Sequence, residues 1–296
     1  MTTTTDRAPA AGTATDVGRE RIVLAAGGDL AAYAAARWVA RRAGQHPIDL
    51  TLVATDDEGI DGERIDRTAD VLRDAVPDWE TRILVSGGGR HAVVEAARHC
   101  DLLVLGSNRV SALARRLPST TSVQIAEEAR CPVVLVPSGW EPGAGRIVVG
   151  VSLDGSDEAA LRFAIAEADA LRRELAIVHV WHLSDVVTPV FAFALDESPI
   201  RAEHAARLEA LLGRVRAANP SLRVIAELVH GEARTQLERH GTGAELVVVG
   251  SHGRSSIERI LLGSVERYLA ERPPGPVAFV PPRYLRAESS RSRFGR

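Results

Sequence analysis

The chain has 296 residues, 45% hydrophobic and 25% charged, which is enough for about two ordinary globular domains. A net charge of −3 speaks against general polyanion binding, and so against nucleic acid as a partner. All 36 basic residues are Arg, which excludes Schiff-base lysine chemistry and a P-loop lysine but leaves phosphate contacts to the guanidinium fork.

Residues 1–20 hold no apolar leader core and are expected to form a disordered tail. No apolar run approaches the ~18 residues of a membrane span, so a cytoplasmic protein with no membrane partner is expected. From residue 21 the pattern starts with RIVL (21–24), a Gly/Asp turn and the helical AAYAAARWVARRAG (31–44). DLLVLG (101–106) and RCPVVLVP (130–137) are later apolar strands. Cys100 and Cys131 lie beside these runs, outside any CxxC or zinc spacing. Two cysteines are too few for a disulfide framework, and they read as small buried residues in a reducing compartment.

The text then repeats. RIVV (146–149) matches RIVL, ELVVVG (245–250) matches DLLVLG, and PGPVAFVP (274–281) matches RCPVVLVP. The offset is 125 in the first part of the repeat and 144 in the later part. The second copy therefore carries about 19 extra residues, expected between its second strand and the next helix. This gives a tail (1–20), a first domain (21–138), a Gly/Pro-rich linker (139–145), a second domain (146–282) and a basic tail (283–296). Each copy alternates five strands with helices. The strands of the second copy are expected at 146–152, 175–181, 222–230, 245–250 and 276–281, with a helix at 157–174 whose Ala160, Leu161, Ala164, Ile165, Ala168 and Leu171 form one apolar face. Short, β-branched, almost wholly apolar strands predict parallel sheets covered by helices on both faces, in a doubly wound α/β fold.

The segment 182–201 contains VVTPVFAFAL, which suits a lid over a ligand or a local core element equally well. No HExxH or other close metal spacing appears among the nine histidines. His179 and His230 read as packed strand residues, and His252 as an exposed loop residue or a phosphate contact.

GSHGRSSIERILLGS (250–264) follows a strand and precedes the helix-like VERYLAER. Gly250 ends the strand where backbone can approach a ligand, and Ser264 can cap the helix. Amides at a helix start bind phosphate, although turns and a cap explain the same residues. The spacing G-x2-G-x9-G-S resembles the nucleotide-binding pattern of the universal stress protein family. RIVVGV, AALRFA, HVW and GPVAFVPP add to the resemblance, which covers about 21–138 and 146–282. It looks like a tandem, two-domain member of the actinobacterial type.

The resemblance implies two five-stranded, Rossmann-like sheets of the adenine nucleotide alpha hydrolase-like kind, in tandem. It implies ATP, with or without Mg²⁺, as the cofactor. Gly250, Gly253, Gly263, Ser264 and Val265 would form the phosphate and ribose loop, lined by Val249 and Ser251, and Val180 would meet adenine through its backbone. The family's Asp after the first strand is Ser152 here, with Asp154 two residues on, so either residue is a candidate for that contact. Asp154 also reads as a turn or cap residue before the helix. In the first copy, Gly27 stands at the Asp position with Asp29 beyond it, Arg109 replaces the second glycine, and Ser119 and Thr120 replace Gly-Ser. That copy is expected to have lost standard ATP binding. The family also implies pairing through the last strand of each copy, as an intramolecular pseudo-dimer or a homodimer. The expected function is a non-enzymatic ATP-binding stress regulator acting on unknown protein partners. The alternative is a nucleotide-independent interaction scaffold, and a more distant one a phosphohydrolase.

Overall fold

The computed structural model describes residues 19–26, 30–45, 47–55, 68–73, 81–86, 89–107, 121–182, 197–251, 263–282 and 284. The first copy runs β1 (Glu20–Ala26), α1 (Leu30–Ala43), β2 (Ile48–Thr55), α2 (68–73) and β3 (Thr81–Ser86). It continues with α3 (Gly89–Ala96) and a 3-10 turn (Ala97–His99), then β4 (Leu102–Ser107), α4 (Thr121–Glu128) and β5 (Val133–Pro137). The second copy repeats the order with β6 (Ile147–Val151), α5 (Glu158–Leu171), β7 (Leu175–Trp181), α6 (Ser198–Ala218) and β8 (Val224–His230). It ends with α7 (Ala233–Gly241), β9 (Leu246–Gly250), α8 (Ser264–Glu271) and β10 (Val277–Val280).

The strand order is β3-β2-β1-β4-β5-β10-β9-β6-β7-β8. Each half is a parallel five-stranded sheet of doubly wound order. The two join edge to edge where β5 and β10 pair antiparallel, Val277 opposite Leu135 and Phe279 opposite Val133. The two sheets are thus one ten-stranded sheet, and pairing removes one exposed edge from each copy. The apolar strands explain this arrangement. Every residue of IVVGV (147–151), LVVVG (246–250) and VVLVP (133–137) is buried, as a sheet covered on both faces requires. One apolar layer is built on α1, α5 and α6 and includes Trp38, Phe163 and Trp140. The opposite layer is built on α3, α4, α7 and α8.

The helices beside the central strands are rich in buried alanine, Ala31, Ala32, Ala34, Ala35 and Ala36 in α1 and Ala159, Ala160, Ala164 and Ala168 in α5. Small side chains let these helices lie close to the sheet. Gly106 completes the fit in the first copy. A Cβ there would overlap the Ala31 carbonyl group and stand 2.7 Å from the Ala32 nitrogen. This glycine therefore has a packing reason independent of any ligand.

The additional residues of the second copy fall between its second and third strands, in the stretch 182–223 against 56–80 in the first copy. Part of that stretch is the 21-residue α6. The apolar run VVTPVFAFAL lies outside the described residues.

Polar groups cross between the copies beneath the seam. Arg42, 5% exposed, donates to Glu20 at 2.6 and 2.8 Å and to Glu167 at 2.5 and 2.8 Å. Glu20 belongs to β1 and Glu167 to α5, so one guanidinium ties the two copies. Arg41 lies 3.0 Å from Glu245, and burial pushes the Glu245 carboxyl above its usual range. Trp140 is buried against the same layer, so this linker residue is part of the core.

Candidate functional site

In the second copy β6 lies between β7 and β9, and the chain, after running outward from β6 to β7 and β8, returns to β9 on the other side of β6. Such a switch point opens a crevice beyond the carboxyl ends of the strands. Register specifies what lines it. Val151 pairs with His179, and Val149 with Val248. Continued outward, this register sets Val180, Ser152 and Ser251 side by side across three strand ends. Gly250 pairs with Val280, and the Ser251 amide donates to the Val280 carbonyl at 2.9 Å. Val249 and Ser251 are buried, and Val180 is half-buried.

The turn after β6 is tightly hydrogen-bonded. Ser152 donates through its amide to Asp157 Oδ2 at 2.5 Å, and its hydroxyl lies 2.6 Å from the same oxygen and 2.7 Å from Asp154 Oδ1. A single hydroxyl proton serves only one of these carboxylates at a time. Asp154 also accepts from the Ser156 amide at 2.9 Å and from the Ser156 hydroxyl. Asp154 therefore is a turn residue that also faces Ser152 at the crevice edge. Asp157 precedes α5 but makes no side-chain cap, its carboxylate turning back to Ser152 instead. Sequence reading missed Asp157, because an Asp just before a helix ordinarily signals a cap. The turn needs a left-handed backbone at Gly155 (φ 87°), which glycine adopts freely. It also needs one at Leu153 (φ 64°), at a cost of roughly 1–2 kcal/mol.

α8 begins at the far side of the crevice. Its N-cap is Gly263, which has no side chain to cap it. Ser264 is the first helical residue, so the expected Ser264 cap is not formed: the helix starts one residue early and the capping position falls to a glycine. Gly263 has φ −67°, open to any residue, and a Cβ there would meet only the Glu266 carboxyl group. Val265 is half-buried and Ser264 exposed. Gly253 and His252 lie outside the described residues, as do Gly27, Asp29, Arg109, Ser119 and Thr120 of the first copy.

A histidine pair backs the crevice. His179 Nδ1 is 2.8 Å from the Val151 carbonyl and Nε2 is 2.8 Å from His204 Nδ1. A carbonyl only accepts, so His179 Nδ1 carries the proton and donates. Neutral His179 then accepts at Nε2 from the Nδ1–H of His204. Burial lowers the His179 pKa, with the hydrogen bond to Val151 opposing it. Trp181 stacks on His204 (5.7 Å) and contacts the His230 ring (4.7 Å), while His182 stacks on His230 (5.9 Å). His179 is packed as expected. His230 is exposed at the end of β8, where its ring contacts those of Trp181 and His182. A cavity of about 390 Å³ adjoins the turn, lined by Val151, Leu153, Asp157, Leu161, Arg207 and Arg214.

Among the described residues, no cluster of three or more His, Cys, Asp or Glu side chains could hold a metal. Among the same residues, no helix is long and apolar enough to cross a membrane.

The profile of the Universal stress protein family matches the chain twice, at residues 18–137 and 143–281. A universal stress protein of Mycolicibacterium smegmatis is 29% identical over 279 residues, covering 84% of this chain and 93% of the relative. One of Mycobacterium tuberculosis is 34% identical over 179 residues, or 58% of this chain, and the match spans 59% of that relative's length. A solved universal stress protein from Archaeoglobus fulgidus superimposes with a TM-score of 0.64 at 15% identity, covering 88% of this chain and 96% of that one, a likeness of fold.

Proposed function

The chain belongs to the universal stress protein family, and on that footing we propose that its second domain (146–282) binds an adenine nucleotide such as ATP. The row of Val180, Ser152 and Ser251 across three strand ends, facing the start of α8 at Gly263, carries this reading. Val180 and the Ser152 turn would take the base and ribose. The phosphates would lie toward Gly250, Gly253, Gly263, Ser264 and Val265, where the helix start favours negative charge. Asp154 and Asp157, both turned to Ser152, are suited to a ribose hydroxyl or to a Mg²⁺ that accompanies the nucleotide. The first domain (21–138) serves as a degenerate partner across the seam.

The protein is a non-enzymatic cytoplasmic regulator on this reading. Nucleotide would order the 250–264 loop and so shift the conformation or the homodimer state that its protein partners meet. One observation favours the alternative of a nucleotide-independent scaffold. The Glu266 carboxyl group lies in the first turn of α8, beside Gly263 and largely buried, where it would repel a phosphate.

Calorimetric titration of ATP and Mg²⁺ into the purified chain, after assay for co-purified nucleotide, separates the two readings. We expect one site per chain, lost in Gly263→Asp. Two sites would show that the first copy also binds. No binding and no carried nucleotide would leave the scaffold.

A further inference from the structure

Cys100 and Cys131 are the chain's two cysteines, 31 residues apart, and their sulfurs are 3.0 Å apart. We propose that they form a redox-active dithiol, a site in the first copy at which a hydroperoxide closes an intramolecular disulfide. The sulfur separation exceeds the ~2.05 Å of an S–S bond by only about 1 Å. Both residues are free thiols, Cys100 half-buried and Cys131 buried.

The backbone brings them together. Cys100 leads into β4 and Cys131 into β5, and these are neighbouring parallel strands with Leu103 opposite Val133. The same register sets residue 131 across from 101, one step from Cys100, at a strand spacing of about 4.8 Å. Both approaches are fixed. The Asp101 amide donates to the Arg21 carbonyl at 2.8 Å, and the Leu103 amide to the Pro132 carbonyl at 2.9 Å. The Asp101 carboxylate is held by the Arg21 side chain at 2.9 and 3.1 Å. Cys100 Sγ lies 3.3 Å from the Ala97 carbonyl, which can only accept, so the Cys100 S–H donates there. The S–H of Cys131 is then left to donate to the Cys100 sulfur.

The chemistry balances with the peroxide as the only other reactant. Cys100, the more open of the two, attacks one peroxide oxygen as thiolate. The O–O bond breaks, an alcohol or water leaves with one proton, and Cys100 becomes a sulfenic acid. Cys131 sulfur then attacks the Cys100 sulfur. The S–O bond breaks and water departs with the Cys131 proton. Two thiols lose two electrons in total, and the peroxide gains them. The hydrogen bond with Cys131 and burial hold the Cys100 thiol well above the usual thiol range. Raising the pKa of a thiol lowers the share of thiolate that can attack the peroxide. The bridge would span residues 100–131, which include β4, α4 and the loop equivalent to 250–264. Its far end adjoins β5, the strand that forms the seam.

The test uses the reduced full chain treated with hydrogen peroxide, followed by thiol counting and cleavage after Arg. We expect both thiols to disappear together. Fragments 99–109 and 131–146 should be joined, two hydrogen atoms lighter than their sum, and dithiothreitol should separate them. In Cys100→Ser, Cys131 should stay free over the interval in which the native chain loses both thiols. Persistent free thiols, separate sulfinic acids or links between chains would overturn the proposal. A measurement on the native chain guards against a variant that fails to fold. One equivalent of phenylarsine oxide, which bridges adjacent thiols, should shield both cysteines from iodoacetamide, and loss of that protection would also overturn it.

Discussion

Among the described residues, the first copy gathers its reactive groups where strands begin and the second where strands end. Cys100 and Cys131 meet ahead of β4 and β5. Ser152, Asp154, Asp157 and His179 meet beyond β6 and around β7. Between those ends the copies are alike, with PVVLV (132–136) and PVAFV (276–280) both buried and paired to each other. The difference teaches where a duplicated fold can diverge. A strand interior covered on both faces accepts only apolar residues of suitable volume. The strand ends carry no such restriction, so they can be rebuilt for separate tasks while the sheet stays intact.

That comparison assumes that the copies stand or fall together, and Arg42→Ala is the strongest challenge to it. The change leaves the buried Glu167 carboxylate and the partly buried Glu20 carboxylate without their shared guanidinium. Breaking such a pair from one side costs roughly 3–5 kcal/mol. Denaturant unfolding should show a lower midpoint and a single transition for the whole chain. Two separated transitions, one unmoved, would mean that the copies fold independently and that the seam is a mere contact.

A smaller effect separates the two glycines that most invite a functional reading. Gly106→Ala forces a Cβ into the Ala31 backbone, which cannot swing aside, and should cost about 1–3 kcal/mol. Gly263→Ala meets only the flexible Glu266 side chain at an ordinary φ, so its stability cost should stay under about 1 kcal/mol. If the second copy binds nucleotide, the latter change should act on ATP titration instead. Equal midpoints for the two variants would refute the division into a packing glycine and a site glycine.

Much of this was legible in the sequence, for a definite reason. Apolar blocks such as IVVGV and LVVVG state their own burial, and their repetition states the duplication, so strands expected at 175–181 and 245–250 appear at Leu175–Trp181 and Leu246–Gly250. The residues around the site were legible only where local spacing marks them. Asp157 was hidden because its partner, the Ser152 amide, lies five residues back across a turn with a left-handed leucine. His204 on α6 meets His179 on β7, 25 residues back, and no periodicity encodes that. The cysteine contact came nearer to being read, since both residues lie beside apolar strand runs. What was missing was that strands four and five of a doubly wound sheet are neighbours, which brings residues 31 apart into touch.

The mildest challenge to the comparison is a pH profile. Burial holds His179 below the ordinary imidazole value of 6.5, beside His204, Asp157 and Arg207. The unfolded chain therefore takes up its proton first as pH falls. The stability His179 lends is present above pH 6.5 and is lost as pH falls through its folded value. Glu245, beneath the seam, has the opposite sign. Its folded pKa is raised above 4.5, so its contribution is present at low pH and lost as pH rises through the folded value. The two groups push the pH profile of the whole chain in opposite directions. His179→Asn isolates one of them, because its side-chain amide can still donate to the Val151 carbonyl but does not titrate. Acidification from pH ~7.5 to ~5.5, a window around the imidazole pKa, should lower the denaturation midpoint of the native chain more than that of the variant. Parallel profiles would mean that His179 gains no more from being neutral in the folded chain than in the unfolded one, and that the strand-end network of the second copy is insensitive to protons.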